Sequence, residues 1–172
     1  MSDLSLQLQQ AKSQLPVHAY FEQALFEREL QTLFASGPKY VGHALSVPEV
    51  GDYFTLSHED NGRALVRTEN GIELLSNVCR HRQATILQGR GNLRDNAPGH
   101  AGGQIVCPLH RWTYSPTGEL VGAPHFSSDP CLSLPRYGLR EWNGLLFEDN
   151  GRDVLADLAD IGPRHKLNFE GF

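Results

Sequence analysis

Two short stretches hold the residue types best suited to bind metal: Asn77-Val78-Cys79-Arg80-His81-Arg82 and Ile105-Val106-Cys107-Pro108-Leu109-His110-Arg111-Trp112. Each sets one cysteine and one histidine close together. In extended backbone, residues i and i+2 project to one side, so Cys79 and His81 can address one centre. Cys107 and His110 stand three apart, a spacing that needs a turn, and Pro108 supports one by fixing φ and removing an amide donor. Facing each other, the stretches offer two thiolates and two neutral imidazoles. That donor set suits two chemistries. One is a tetrahedral zinc bound by Cys79, His81, Cys107 and His110 together. The other is a [2Fe–2S] cluster with the cysteines on one iron and the histidines on the other.

The scaffold that must hold these residues reads as mainly β. A helix is predicted over Tyr20–Ala35, where Phe21 and Leu25, Phe26 and Leu30, then Leu33 and Phe34 line one face. Ser36-Gly37-Pro38 stops it. Beyond Lys39 the pattern changes to short runs between turn signals. Asn-Gly occurs at Asn61-Gly62, Asn70-Gly71, Asn143-Gly144 and Asn150-Gly151, and this pair tolerates the positive φ of two-residue hairpins. Strands are predicted at Tyr53–Ser57, Arg63–Thr68, Ile72–Val78, Gln104–Val106, Arg111–Tyr114, Tyr137–Trp142 and Leu145–Glu148, with Ser115-Pro116-Thr117-Gly118 as a turn. The expected fold is an antiparallel β-sandwich or barrel with an N-terminal α-helical extension. Helical spacing returns at Val154, Leu155 and Leu158, then gives way to Gly162-Pro163 and a polar end. No internal repeat is visible along the chain.

At 172 residues and 19.1 kDa the chain suits one domain with appendages and can bury a core without staples. A net charge of −5 excludes a general binder of nucleic acid or anionic membrane. The polar start MSDLSLQLQQAKSQ has no apolar h-region, and no apolar run reaches membrane-span length. Three cysteines make no paired framework, so reduced thiols and a cytoplasmic location are expected.

The pattern C-x-H … C-P-x-H resembles the Rieske family. Cys79-Arg80-His81-Arg82, then Cys107-Pro108-Leu109-His110-Arg111-Trp112-Thr113-Tyr114 and Gly118-Glu119-Leu120, are similar to the N-terminal domain of Rieske non-haem iron oxygenase α subunits of the aromatic-ring-hydroxylating type. The helix before the sheet and Trp142-Asn143-Gly144-Leu145-Leu146-Phe147 extend the likeness, which covers about residues 20 to 155. The resemblance implies one-electron transfer through a Rieske [2Fe–2S] cluster, with Cys79 and Cys107 on one iron and His81 and His110 on the other. It divides the chain into a helical extension over 1–38, a Rieske domain over 39–151 and a connector over 152–172. High-potential relatives carry a further cysteine in each loop, absent here, so the lower-potential oxygenase class is expected. The histidines are expected to couple reduction potential to pH, which electrochemical titration through the alkaline range would show.

Twenty-five residues separate His81 from Cys107, more than the family usually has. The excess is expected at Asn92–Gly103, whose composition suits a surface loop. In the intact family a mononuclear Fe(II), held by two histidines and a carboxylate, activates dioxygen in a C-terminal domain. The remaining histidines, at 18, 43, 58, 100, 125 and 165, form no such pattern. No catalytic residue is therefore assigned, and that domain is expected to lie outside this chain. The implied partners are a reductase or ferredoxin as donor and the catalytic domain of the same or a neighbouring subunit as acceptor. A stand-alone Rieske-type ferredoxin and a zinc-stabilised binding module remain as alternatives.

Outside the two stretches, Cys131 is expected to be a buried thiol and His125 a surface or packed histidine. Arg80, Arg82 and Arg111 either form a basic rim that steers an acidic donor or pair with nearby carboxylates. Trp112 and Tyr114 either wall the metal site from water or are placed by strand alternation alone, and the two readings are compatible.

Overall fold

Residues 15–126 and 130–159 are described in the computed structural model, in which the chain divides into two units, Met1–Gly37 and Pro38–Phe172. The expected polar start, Gly162-Pro163 and His165 lie outside the described residues. In the first unit a 3-10 turn at Val17–Tyr20 precedes α1 (Gln23–Glu29), and Leu30–Phe34 continues with π-helical winding. The predicted helix is thus interrupted at Glu22, where ψ of 111° is extended. Its last turn is wider, with the Ala35 N–H bonded to the Leu30 carbonyl at 2.8 Å. The stop falls at Gly37 as expected. There the N–H reaches the Leu33 carbonyl at 2.8 Å, and a Cβ would lie 2.2 Å from that oxygen.

The described residues of the second unit hold twelve strands: β1 (Lys39–His43), β2 (Asp52–Thr55), β3 (Arg63–Thr68), β4 (Gly71–Ser76), β5 (Arg90–Asn92), β6 (Gly99–Ala101), β7 (Gln104–Val106), β8 (Thr113–Tyr114), β9 (Leu120–Gly122), β10 (Arg136–Tyr137), β11 (Leu139–Trp142) and β12 (Leu145–Glu148), followed by α2 (Val154–Ala159). They form sheets of order β1-β12-β11, β10-β4-β3-β2-β5 and β6-β7-β8-β9, antiparallel throughout. The mainly β, antiparallel expectation therefore holds. β3, β7 and β12 occupy the predicted residues. The run predicted at Tyr137–Trp142 instead splits between two sheets at Gly138, where a Cβ would sit 2.9 Å from Asp149 Cβ. Asn143-Gly144, with φ of 50° and 83°, makes the expected two-residue hairpin between β11 and β12.

Strand alternation builds two cores from one sheet. Leu65 and Leu74 pack with Val41, Val47, Leu56 and Leu146. Their neighbours Ala64, Val66 and Leu75 face the other way, onto Ile105, Trp112 and Tyr114. The middle sheet is thereby covered on both faces, which explains the unbroken apolar run Ala64-Leu65-Val66 in β3.

Arg63 ties these layers together. Its guanidinium donates to Glu59 on a 3-10 turn and to Glu148 Oε2 of β12 at 2.9 Å, and lies 4.9 Å from the Tyr137 ring centroid. The bond from Arg63 holds the Glu59 carboxyl below the usual glutamate range. A depressed folded value means the stabilisation is complete at neutral pH. It is lost as pH falls from roughly 5 through that lower value. Arg63→Met is expected to cost about 1–2 kcal/mol at pH 7 and much less at pH 3, as urea unfolding at both pH values would show.

Exposed as expected at residues 94–98, Asn92–Gly103 is not a surface loop throughout. β6 lies within it and pairs with β7 through a hairpin at Gly102-Gly103, where φ is 58° and 79°. Leu93 and His100 are buried. The His100 ring contacts the Asp95 carbonyl through Nδ1 at 2.7 Å and the Tyr53 hydroxyl through Nε2 at 3.3 Å. A carbonyl only accepts, so Nδ1 carries the proton and Tyr53 donates to Nε2. Composition suggested a loop because the glycines that permit close approach look like turn formers. A Cβ at Gly99, for example, would stand 2.3 Å from the Ile86 carbonyl oxygen.

Candidate metal centre

The two candidate metal-binding stretches form loops of one design. Each is framed by a paired valine and threonine: Val78 opposite Thr85, and Val106 opposite Thr113. Within each frame the cysteine N–H donates to the carbonyl five residues on, Cys79 to Ala84 and Cys107 to Trp112, both at 2.8 Å. The N–H of the fifth loop residue returns to the cysteine carbonyl, Gln83 to Cys79 at 2.9 Å and Arg111 to Cys107 at 3.0 Å. Those fifth residues share left-handed backbone, with φ of 57° and 60°. The sequence thus carries a short repeat, Val-Cys-x5-Thr, that was not seen in the chain alone. Chance matches of that length are common, and only the shared hydrogen bonding singles this one out.

Histidine takes the third place in the first loop and the fourth in the second, and the two rings meet with centroids 4.7 Å apart. Cys79 and Cys107 are buried and not joined by a disulfide. Burial pushes the Cys107 thiol up. The imidazoles lie further out, His81 half-buried and His110 exposed. Loss of hydration holds His81 below its ordinary range, helped by His110 and Arg82. Among the described residues no three of His, Cys, Asp and Glu converge on one metal position. The donors stand as a buried cysteine pair and an imidazole pair further out.

The walls come from Trp112, which leads into β8, from β8 itself and from the segment after β9. Trp112 is buried and stacks on His81, with centroids 5.1 Å apart and planes 8° off parallel. Tyr114 is buried with its hydroxyl 3.4 Å from Cys79 Sγ and 3.2 Å from the Arg80 N–H. That N–H can only donate, so the hydroxyl accepts there, and towards Cys79 it donates when the sulfur is a thiolate. Both residues are buried against the candidate donors and belong to the core beneath them.

Two further contributors escaped sequence reasoning. Phe126 packs edge-on against His81 and Trp112 at 5.9 and 5.1 Å. Asn77 is buried, and its side chain donates to the Asn61 and Leu87 carbonyls and accepts from the Leu87 N–H. A buried amide at the end of the apolar strand β4 was the available signal for Asn77. Phe126 had none, since it is far from the loops in sequence. His125 is on the surface. Cys131 is exposed rather than buried, because Leu132 and Leu134 beside it take the inward positions.

This architecture, two like loops presenting paired thiols and paired imidazoles from an antiparallel scaffold, is that of an iron–sulfur protein of the electron-transfer class. Residues 37–138 match the model of the Rieske [2Fe–2S] domain, and the chain belongs to that family. Its cofactor is a Rieske [2Fe–2S] cluster. The chain is 57% identical to putrescine 2-hydroxylase of Ralstonia nicotianae, a match covering 100% of this chain and 45% of the relative. It is 53% identical to putrescine 2-hydroxylase of Bordetella bronchiseptica, over 92% of this chain and 38% of the relative. It therefore spans less than half the length of these relatives. Naphthalene 1,2-dioxygenase from a Rhodococcus species shares the fold, with a TM-score of 0.62 and 26% identity over 83% of this chain and 33% of that one. The resemblance to oxygenase α subunits is thus upheld. No helix among the described residues is long and apolar enough to cross a membrane.

The donor set fits the cluster. His81 Nδ1 is buried without a hydrogen-bond partner among the described residues, as an atom reserved for a metal would be. The cysteines would supply two sulfur ligands at the buried end.

Proposed function

We propose that this chain is the one-electron relay of a Rieske oxygenase α subunit, with Cys79 and Cys107 holding one iron and His81 and His110 the other. The observation that carries the reading is the convergence of the two like loops, with thiols inside and imidazoles outside. When bound, the cluster supplies reversible uptake and release of one electron. The protein does the rest. The cysteines anchor the buried end, Trp112 and Phe126 exclude water from His81, and the imidazole edges offer the outward route.

The chain is read as a helical extension over 1–38, the cluster domain over 39–151 and a connector over 152–172 leading to a catalytic domain. A cytoplasmic reductase or ferredoxin is the proposed donor. The likeness to two putrescine hydroxylases supports a small aliphatic amine as the substrate class of the longer enzyme, with a mononuclear iron in its catalytic domain.

The decisive experiment is the visible spectrum of anaerobically purified protein, with metal and acid-labile sulfide assayed on the same sample. About two irons and two sulfides per chain, with colour that bleaches on reduction, are expected. Colourless protein holding zinc and no sulfide would overturn the reading.

Tyr114 adds a graded test. Its hydrogen bond to Cys79 favours the more negative, reduced state. Tyr114→Phe removes about 1 kcal/mol of that preference, so the potential is expected to fall by about 40 mV. A potential unchanged by direct electrochemistry would mean that the hydroxyl does not reach the ligand sulfur.

A further inference from the structure

The two loops spring from different sheets, β4 leading into the first and β7 and β8 flanking the second. The segment that lengthens the chain between them touches both. β6 pairs with β7, Gly99 opposite Val106 and His100 opposite Ile105, and Val106 runs directly into Cys107. Towards the first loop, a Cβ at Gly99 would stand 2.3 Å from the Ile86 carbonyl oxygen and 3.5 Å from the Leu87 Cα. Ile86 closes that loop, its N–H bonded to the Asn77 carbonyl at 3.0 Å. The three residues of β6 therefore lie between the exit of one loop and the entry of the other.

His100 holds β6 in that place. It is 3% exposed, the one buried histidine among the described residues. Both ring nitrogens are engaged: Nδ1–H donates to the Asp95 carbonyl at 2.7 Å, and Nε2 accepts from the Tyr53 hydroxyl at 3.3 Å. Tyr53 is buried on β2, so the ring ties the segment to a strand that belongs to neither loop. Backbone bonds act beside it, from the Leu93 N–H to the Gly51 carbonyl at 2.8 Å and from the Gly103 N–H to the Leu93 carbonyl at 2.9 Å. A neutral imidazole suits this position because it offers a donor and an acceptor on opposite edges of one rigid ring. Phenylalanine would fill the same volume and leave the buried Tyr53 hydroxyl without that acceptor.

We propose that His100 is a positioning residue: it locks β6 as a clasp that fixes the second loop against the first, and with them the placing of the His81 and His110 rings. The inference rests on the reading of those rings as cluster ligands and deepens it by naming what holds the two halves of the site together. Asn77 spans the first loop alone, whereas the clasp spans both. The hydrogen bonds of His100 reach none of the four donors. It acts on the first loop through Gly99 and on the second through β7. A fully bonded polar group in the interior selects one arrangement of the elements around it, and here those elements carry the site. The long spacing from His81 to Cys107 is thus part of the framework of the centre.

The test is amide hydrogen exchange of the cluster-loaded chain, read peptide by peptide by mass spectrometry, with the visible spectrum taken first. His100→Phe keeps a ring and removes both bonds. Tyr53→Phe removes one bond, leaves the packing intact and carries the same comparison should the first variant fail to fold. His100→Gln restores an acceptor for Tyr53. In His100→Phe the peptides holding the Ile86 and Cys107 amides are expected to exchange about tenfold faster, together with residues 93–103, because a cooperative unit opens as a whole. Tyr53→Phe is expected to show the same pattern by a smaller factor, and His100→Gln to regain part of the native protection. The electron paramagnetic resonance signal of the reduced cluster is expected to broaden in His100→Phe, as the loops take a spread of arrangements. It is expected to stay native in Arg63→Met, which destabilises the fold from elsewhere. Faster exchange confined to residues 93–103, or a resonance signal that His100→Phe leaves unchanged, overturns the proposal. A native chain that assembles no cluster overturns the cluster reading instead, and exchange at Ile86 and Cys107 then decides the clasp by itself.

Discussion

Cys79→Ala or Cys107→Ala is expected to yield a colourless chain that retains neither iron nor sulfide. Each thiol is 1% exposed and sits at the closed base of its loop, with its amide and carbonyl both engaged across that loop. The third cysteine, Cys131, is exposed and belongs to another segment. Binding energy of a cluster held in a preformed site is folding energy for the loops that hold it. The variants are therefore expected to lose stability as well as colour, with the midpoint of urea unfolding falling well below that of the loaded native chain. Cys131→Ala serves as the control and is expected to keep the native spectrum. A Cys107 variant with an unaltered spectrum would place the cluster elsewhere.

Asn77→Ala is expected to cost about 3 kcal/mol. The Asn77 side chain makes hydrogen bonds of 2.8 Å with both the N–H and the carbonyl of Leu87, and one of 2.9 Å to the Asn61 carbonyl. Alanine would strand these backbone groups in the interior, each at about 1 kcal/mol or more. The effect reaches the site because Asn77 stands two residues before Cys79 and its backbone carbonyl accepts from Ile86 at 3.0 Å. One side chain thus holds the entry and exit of the first loop at a set spacing. Urea unfolding measures the stability loss, and the iron content of purified protein measures the consequence for the centre. A change under about 0.5 kcal/mol, the level of an ordinary surface substitution, would mean that the Leu87 groups find other partners.

The two predictions differ in how visible their basis was. Cysteine and histidine announce metal chemistry by type, and loops of this spacing are read without coordinates. Asn77 was quoted only as a neighbour of Cys79, because an amide's role depends on partners ten and sixteen residues away. Arg80, Arg82 and Arg111 lay between. Their charges were plain in the chain, but that none forms an ion pair among the described residues was decided by packing. Asn92–Gly103 misled for a related reason. Glycine marks both an open turn and a place where backbones touch, and only the neighbour 2.3 Å from Gly99 distinguishes them.

Donor chemistry, the strand-rich class, the helix stop at Gly37 and the hairpin at Asn143-Gly144 follow from residue type and local spacing. Interactions over a few residues suffice for each, and those interactions survive in any compact arrangement of the chain. The sorting of four donors into a buried thiol pair and an outer imidazole pair does not follow in that way. It depends on two loops built from strands in different sheets, closed by like hydrogen bonds and turned towards one another. The stacking of Trp112 on His81, the lid formed by Phe126 and the bond from Tyr114 to Cys79 are of the same kind. Each joins segments distant in sequence, and burial brings them together only when the sheets have packed.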